Sequence, residues 1–270
     1  MFYVYEPLKK LLPNGYYLKT GQECYYLSYP EICRNSTQFD SMVDMMTSFY
    51  DCNFSPKFIP PEKHSDAQVK VQECLHEPHR NASFCNKSVR SLCDASSVRM
   101  IKTIRLSMDV IDILMRRIPT LKIVHLIRDP RGMHKSRKKG GFLKEFKLRS
   151  HDAINLCNRY FYDFNVSEKL NLTYPYRIKR VLFEDLASNT LKYAKDIYNF
   201  LNLNFPPMLF DWISNHTSSN QKDGYYGTIR ANSSAVANEW RDKLTRKLIK
   251  EIDEACEAVY DVVGYTPFQQ

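Results

Sequence analysis

The stretch 122–137, KIVHLIRDPRGMHKSR, limits the fold of this chain more than any other. Residues 121–127 (LKIVHLI) form a near-continuous apolar run, as expected of a strand in the middle of a parallel sheet covered on both faces. Asp129 and Pro130 follow, an N-cap with Pro at the first helical position. The helix predicted there carries Arg131, His134, Lys135, Ser136 and Arg137. A strand end that runs into a helix N-terminus is where α/β folds bind phosphates. Arg128 at the strand end offers the forked donors that suit a phosphate. Ser136, about two turns into the helix, adds a hydroxyl donor. An exposed basic helix is the competing reading of the same pattern.

The rest of the chain repeats this alternation. Residues 2–5 read as a short buried strand ended by Glu6-Pro7. Residues 38–50 carry Phe39, Met42, Val43, Met46 and Phe49 at helical spacing. Residues 52–97 are rich in Cys, Pro and His and read as a stapled, loop-rich insertion. A strand over 98–104 and a helix over 109–117 precede the central segment. A long helix over 150–170 places Ala153, Leu156, Cys157, Tyr160, Phe161 and Phe164 on one face. A strand is expected at 177–183, a helix at 186–201 and a polar loop at 214–234. The last helix is expected over 245–263, with Thr245 as N-cap and Gly264 as C′ residue. The pattern predicts an α/β fold with parallel strands, as a single domain over 1–270. His125, inside an apolar strand, reads as a core histidine, and Trp240 as a packing residue.

The net charge of +9 suits an anionic ligand, whether nucleotide, nucleic acid or acidic polysaccharide, and equally a solvated basic surface. The compartment is better marked. Asn-x-Ser/Thr occurs at Asn35, Asn53, Asn81, Asn86, Asn165, Asn171, Asn215 and Asn232. Composition alone would give roughly two such matches. Cys24, Cys33, Cys52, Cys74, Cys85 and Cys93 can pair in an oxidising lumen, with connectivity left open. Cys157 and Cys256 lie in apolar helical patterns and read as buried thiols. Cys74, His76, His79 and Cys85 fit no standard zinc spacing, so no metal is expected. No run of eighteen apolar residues spans a membrane. No leader pattern follows Met1, so these luminal marks lead us to expect a protein that begins upstream.

LIRDPRGMHKSR is similar to the 3′-phosphate-binding segment of sulfotransferases that use 3′-phosphoadenosine 5′-phosphosulfate (PAPS). In that family an Arg at the strand end and a Ser eight residues later hold the 3′-phosphate, and Arg128 and Ser136 match in type and spacing. IKTIRLSMDVIDILMRRIPTLKIVHL, VLFEDLASNTLKYAKDIYNFLNL, GTIRANSSAVANEWRDKL and FYVYEPL resemble the branch that sulfates the 6-OH of GlcNAc, Gal or GalNAc. The resemblance implies a P-loop-like parallel sheet with helices on both faces. It implies a loop at Gly227, Thr228 and Arg230 that closes over the nucleotide, with Gly224, Tyr225 and Tyr226 in the same lid. Glu6 of the Glu-Pro-Leu turn is the implied catalytic base, or else it orients the acceptor or caps a turn. Phe183 stands where the family usually has Tyr, and Lys9 where it has an aromatic residue. Glu184-Asp185 recurs in the family and reads as helix-dipole capping.

The family's Ser/Gly-rich phosphosulfate loop precedes the FYVYEPL segment. The resemblance therefore implies a chain whose first strand and phosphosulfate loop are missing and which is catalytically silent as it stands. The implied reaction is sulfuryl transfer from PAPS to a sugar hydroxyl. The acceptor would be a glycan or proteoglycan and not a nucleic acid. The implied site is the Golgi lumen, with the membrane reached only through a segment outside this chain. A non-catalytic pseudo-sulfotransferase that binds anionic glycans is the second reading. A P-loop kinase relative is a third, disfavoured by the lack of a Walker sequence.

Overall fold

The computed structural model describes residues 2–5, 16–18, 24–27, 31–33, 37–53, 69, 73–74, 76–77, 82–104, 106–139, 150–219 and 228–268. The chain falls into two compact units, Met1–Leu121 and Lys122–Gln270.

In the first unit, β1 (Phe2–Tyr5) pairs in parallel with β5 (Arg99–Lys102), so that Phe2 faces Arg99 and Tyr5 faces Lys102. Both strands were expected. Between them β2 (Tyr16–Leu18), β3 (Cys24–Leu27) and β4 (Glu31–Cys33) form an antiparallel meander that sets Cys24 opposite Cys33. Strands this short show too few alternations for periodicity to reveal the meander. Helix α1 (Thr37–Tyr50) buries Met42, Val43, Met46 and Phe49. It packs on α3 (Met108–Arg117), which buries Val110, Ile111, Leu114 and Met115.

The 52–97 insertion is more ordered than its composition suggests. Ala82–Asp94 is a helix, α2, with Cys85, Val89 and Cys93 buried along one face. Counted as a small hydrophobe, Cys completes a four-residue apolar period that is easily read as mere cross-linking. Disulfides join Cys52 to Cys93 and Cys74 to Cys85. Neither Cys74 nor Cys85 therefore offers a thiolate to a metal.

In the second unit, β6 (Ile123–Ile127) pairs in parallel with β7 (Ile178–Leu182), in register from Ile123 opposite Ile178 to Ile127 opposite Leu182. Ile127 is buried whereas Val124 and Leu126 are exposed, so this strand alternates instead of burying both faces. Among the described residues β7 is its one ladder partner. The crossover between the two runs through α4 (Pro130–Lys139) and α5 (Ser150–Thr173). The two parallel ladders and their helical connections make this the expected α/β fold.

The core of this unit lies between α5 and the C-terminal helices, around Ala153, Cys157, Trp240, Ile252, Cys256 and Tyr260. Thr245 caps as expected, its Oγ1 accepting from the Leu248 amide at 3.3 Å. Gly264 sits at φ 90°, where a side chain would be strained. The expected single helix is two, α10 (Arg246–Ala255) and α11 (Glu257–Val263), broken at Cys256. The expected 186–201 helix is also two, α6 (Phe183–Ser188) and α7 (Thr190–Phe200). Asn189 makes that break, because its side chain accepts from the Lys192 amide and restarts the helix. No residue of α7 is fully buried, so its apolar stripe covers the core only partly.

Cys157 and Cys256 are buried as expected but form a disulfide instead of standing as thiols. Helical periodicity gave each residue its buried face. Only the packing of α5 against the C-terminal helices brings their Cα atoms to 5.1 Å.

Candidate functional site

The expected phosphate site begins where β6 ends. Asp129 caps α4: its Oδ1 accepts from the Arg131 amide at 2.8 Å, and its carbonyl accepts from the Met133 amide at 2.9 Å. Arg128, just before the cap, is half-buried, and its guanidinium lies 4.3 Å from the centre of the Phe183 ring. Phe in place of Tyr keeps the aromatic face for this cation–π contact and removes a hydroxyl.

Gly132 lets Arg128 lie along the helix. A Cβ there would sit 3.2 Å from Arg128 Nε and 3.5 Å from Trp240 Cδ1. Ser136 is one turn beyond Gly132, and residues four apart share a helix face. The fold thus sets the Arg128 side chain beside the face that carries Ser136.

The backbone of Arg128 is held by side chains. The Tyr160 hydroxyl accepts from the Arg128 amide at 3.0 Å and donates to the Arg128 carbonyl at 2.9 Å. Glu184 Oε1 accepts from the Asp129 amide at 3.1 Å, and its Oε2 accepts from the Tyr265 hydroxyl at 2.9 Å. The Glu184-Asp185 pair was expected to be structural, and Glu184 is: it links the turn to the C-terminal tail.

Arg131, expected among the basic residues of the helix surface, is 3% exposed. Its Nε and Nη2 donate to Asp129, and its Nη1 donates to Asp253 at 3.2 Å and to the Thr266 carbonyl at 3.0 Å. Its guanidinium stacks 4.1 Å from the Trp240 ring centre. Burial alone would lower its pKa, but the hydrogen bonds and charge of Asp129, with Asp253, raise it. Arg131 is therefore an internal tie, not a ligand. Lys135 pairs with Glu239, and His134 is buried inside the unit rather than projecting from the helix. A charge count along this segment could not separate Arg131 and Lys135 from Arg128, because Asp253 and Glu239 reach them from distant segments.

Thr228 is exposed and Arg230 half-buried. The Arg230 amide donates to the His216 carbonyl at 2.9 Å, and its carbonyl accepts from the Ser219 amide at 3.0 Å. These bonds close the base of the segment that was expected to form the lid. Arg230 Nη1 donates to the Ile229 carbonyl at 2.8 Å. Gly224, Tyr225, Tyr226 and Gly227 lie outside the described residues, as do Glu6 and Lys9. Beside the loop base, a cleft of about 520 Å³ opens between Asn189, Thr217, Ser218 and Asn232. Neither Arg128 nor Ser136 lines it, so the turn and not this cleft carries the phosphate argument.

His125 and Trp240 hold their expected places. His125 Nδ1 lies 3.3 Å from Ser167 Oγ, and burial lowers its pKa. Trp240 is 1% exposed in the core. Among the described residues no group of three or more His, Cys, Asp or Glu is arranged to hold a metal. No described helix is long and apolar enough to cross a membrane.

Human carbohydrate sulfotransferase 1 is 27% identical over 273 residues, which cover 82% of this chain and 64% of that protein. Zebrafish (Danio rerio) carbohydrate sulfotransferase 1 is 32% identical over 165 residues, 54% of this chain and 38% of that protein. The chain thus spans less than two thirds of the length of either relative. The crystal structure of mouse sulfotransferase SULT7A1 complexed with PAP superposes with a TM-score of 0.41 at 15% identity, covering 76% of this chain and 85% of that one. The sulfotransferase family itself matches residues 26–207, a stretch that holds the Arg128 turn, Ser136 and Glu184, and the chain belongs to that family.

Proposed function

We propose that the protein transfers a sulfuryl group from PAPS to a sugar hydroxyl, the 6-OH of GlcNAc, GalNAc or Gal in a glycan or proteoglycan. The observation that carries this reading is the Arg128 turn. A guanidinium at the end of a parallel strand lies over Gly132, beside the helix face of Ser136. That arrangement suits the 3′-phosphate of the donor through charged hydrogen bonds from Arg128 and a hydroxyl from Ser136. Thr228 and Arg230 stand at the base of the loop that would cover the nucleotide. Resemblance to carbohydrate sulfotransferases supports the sugar acceptor.

In this reaction the bond between sulfur and the 5′-phosphate oxygen breaks, and one forms to the sugar oxygen. The hydroxyl proton passes to a base, for which Glu6 is the candidate. The disulfides and the sequons support residence in an oxidising lumen, in this reading the Golgi.

The test uses the full-length protein. Calorimetry should show binding of 3′-phosphoadenosine 5′-phosphate (PAP), weakened about tenfold or more by Arg128→Ala and less by Ser136→Ala. Transfer from PAPS should be seen with GlcNAc-, GalNAc- or Gal-terminated acceptors, and Glu6→Gln should lower kcat. PAP affinity indifferent to Arg128→Ala would overturn the site. Binding without transfer to any of these acceptors would replace the enzyme by a non-catalytic binder.

A further inference from the structure

The end of β6 poses a local problem. Arg128 and Asp129 leave the ladder just before a helix begins, and their backbone groups need partners. Side chains supply them. One hydroxyl, Tyr160, meets both the N–H and the C=O of Arg128. One carboxylate, Glu184, takes the N–H of Asp129 and on its other oxygen takes the Tyr265 hydroxyl. The Tyr265 hydroxyl also stands beside that of Tyr160. Burial raises the pKa of both phenols, so both remain protonated donors.

The C-terminal tail around Tyr265 has anchors besides Glu184. The Thr266 carbonyl accepts from Arg131, and the Phe268 amide donates to Asp253 at 2.8 Å. The Phe268 ring packs edge-on against Trp240, with centres 5.6 Å apart. The tail is therefore a strap with one end tied to the helix core and Tyr265 tied to the turn.

We propose that Tyr265 is a positioning residue for donor binding: through Glu184, and beside Tyr160, it fixes the peptide planes of Arg128 and Asp129 and so aims the Arg128 guanidinium at the donor's phosphate. This rests on the reading of Arg128 as a phosphate ligand. Neither tyrosine is asked to touch the donor. A charged hydrogen bond depends steeply on direction, so a turn that rocks by a few tenths of an ångström loses affinity while the fold stands.

The experiment measures PAP affinity and thermal midpoint for Tyr265→Phe and Tyr160→Phe in the full-length protein, with Arg128→Ala and Thr245→Ala as references. Each Phe variant deletes one hydroxyl and keeps the ring. Thr245→Ala removes a helix cap that bonds the Leu248 amide, not the turn, and costs comparable stability. Tyr265→Phe is expected to weaken PAP about three- to tenfold and to raise KM for PAPS with kcat held. Thr245→Ala should lower the midpoint and leave PAP affinity unchanged. Tyr160→Phe serves as a second reading of the same clamp should Tyr265→Phe fold poorly. If Arg128→Ala weakens PAP and both Phe variants bind it as the parent does, the positioning role is lost and the phosphate site stands. If affinity falls in Thr245→Ala as much as in the Phe variants, the effect is general destabilisation and the proposal fails. If Arg128→Ala itself has no effect, the underlying site is wrong.

Discussion

Arg131 and Asp253, 122 residues apart, meet at 3.2 Å inside the second unit, with Asp129 on the other side of the same guanidinium. Tyr260 donates to Asp253 Oδ1 at 2.7 Å, and the Phe268 amide takes Oδ2. The guanidinium is 3% exposed and both carboxylates are largely covered, so removing the cation strands two negative charges. Arg131→Ala should cost about 3–5 kcal/mol. Urea unfolding of the full-length protein checks this. A loss below about 1 kcal/mol would show that the network adds little to the fold.

Gly132 gives a sharper separation of fold from site. Alanine there would press its methyl on Arg128 Nε at 3.2 Å, while the contact to Trp240 at 3.5 Å is ordinary. The flexible Arg128 side chain is the part able to yield. Gly132→Ala should therefore keep the thermal midpoint within a few degrees and weaken PAP about fivefold or more. Unchanged affinity would mean that the guanidinium does not need this path along the helix.

His125 predicts a pH effect. Burial lowers its pKa, partly offset by Asp163 and reinforced by Arg180. A neutral imidazole in the fold and a protonated one in the unfolded chain means that the unfolded state binds more protons below pH about 6.5. Stability contributed by neutral His125 is present above that pH. It falls as pH drops toward the lower, folded pKa. Urea midpoints between about pH 7 and pH 5 should decline less steeply in His125→Gln than in the parent. Equal slopes would refute this.

Glycosylation should be uneven across the sequons. Asn165 donates through Nδ2 to the Phe161 carbonyl at 2.9 Å, and its partner hydroxyl on Ser167 is fully buried. Asn215 is exposed on α8 (Met208–Thr217). Asn232 is exposed but caps α9 (Ser233–Asn238), its Oδ1 accepting from the Ala235 amide at 2.9 Å, beside the proposed nucleotide loop. Glycopeptide mass spectrometry should find Asn165 and Asn232 bare and Asn215 occupied. High occupancy at Asn232 in an active preparation would move the nucleotide loop elsewhere.

What this sequence determined by itself is local. The apolar run before Arg128, the Asp129-Pro130 cap, the Thr245 cap, the Gly264 turn and the buried stripes of α1 and α5 follow from backbone sterics, capping and periodicity within a few residues. The parallel α/β order follows from their succession along the chain. Tertiary structure alone decided how residues far apart in the chain share charge and hydrogen bonds. It took Arg131 out of the basic surface by bringing Asp253 to it, and it turned Cys157 and Cys256 from separate buried thiols into one disulfide. It gave Glu184 its partners, the Asp129 amide and the Tyr265 hydroxyl. Such pairings need two helix faces or a chain end to arrive at one point. Periodicity names the face that each residue occupies, but only packing chooses which face it meets.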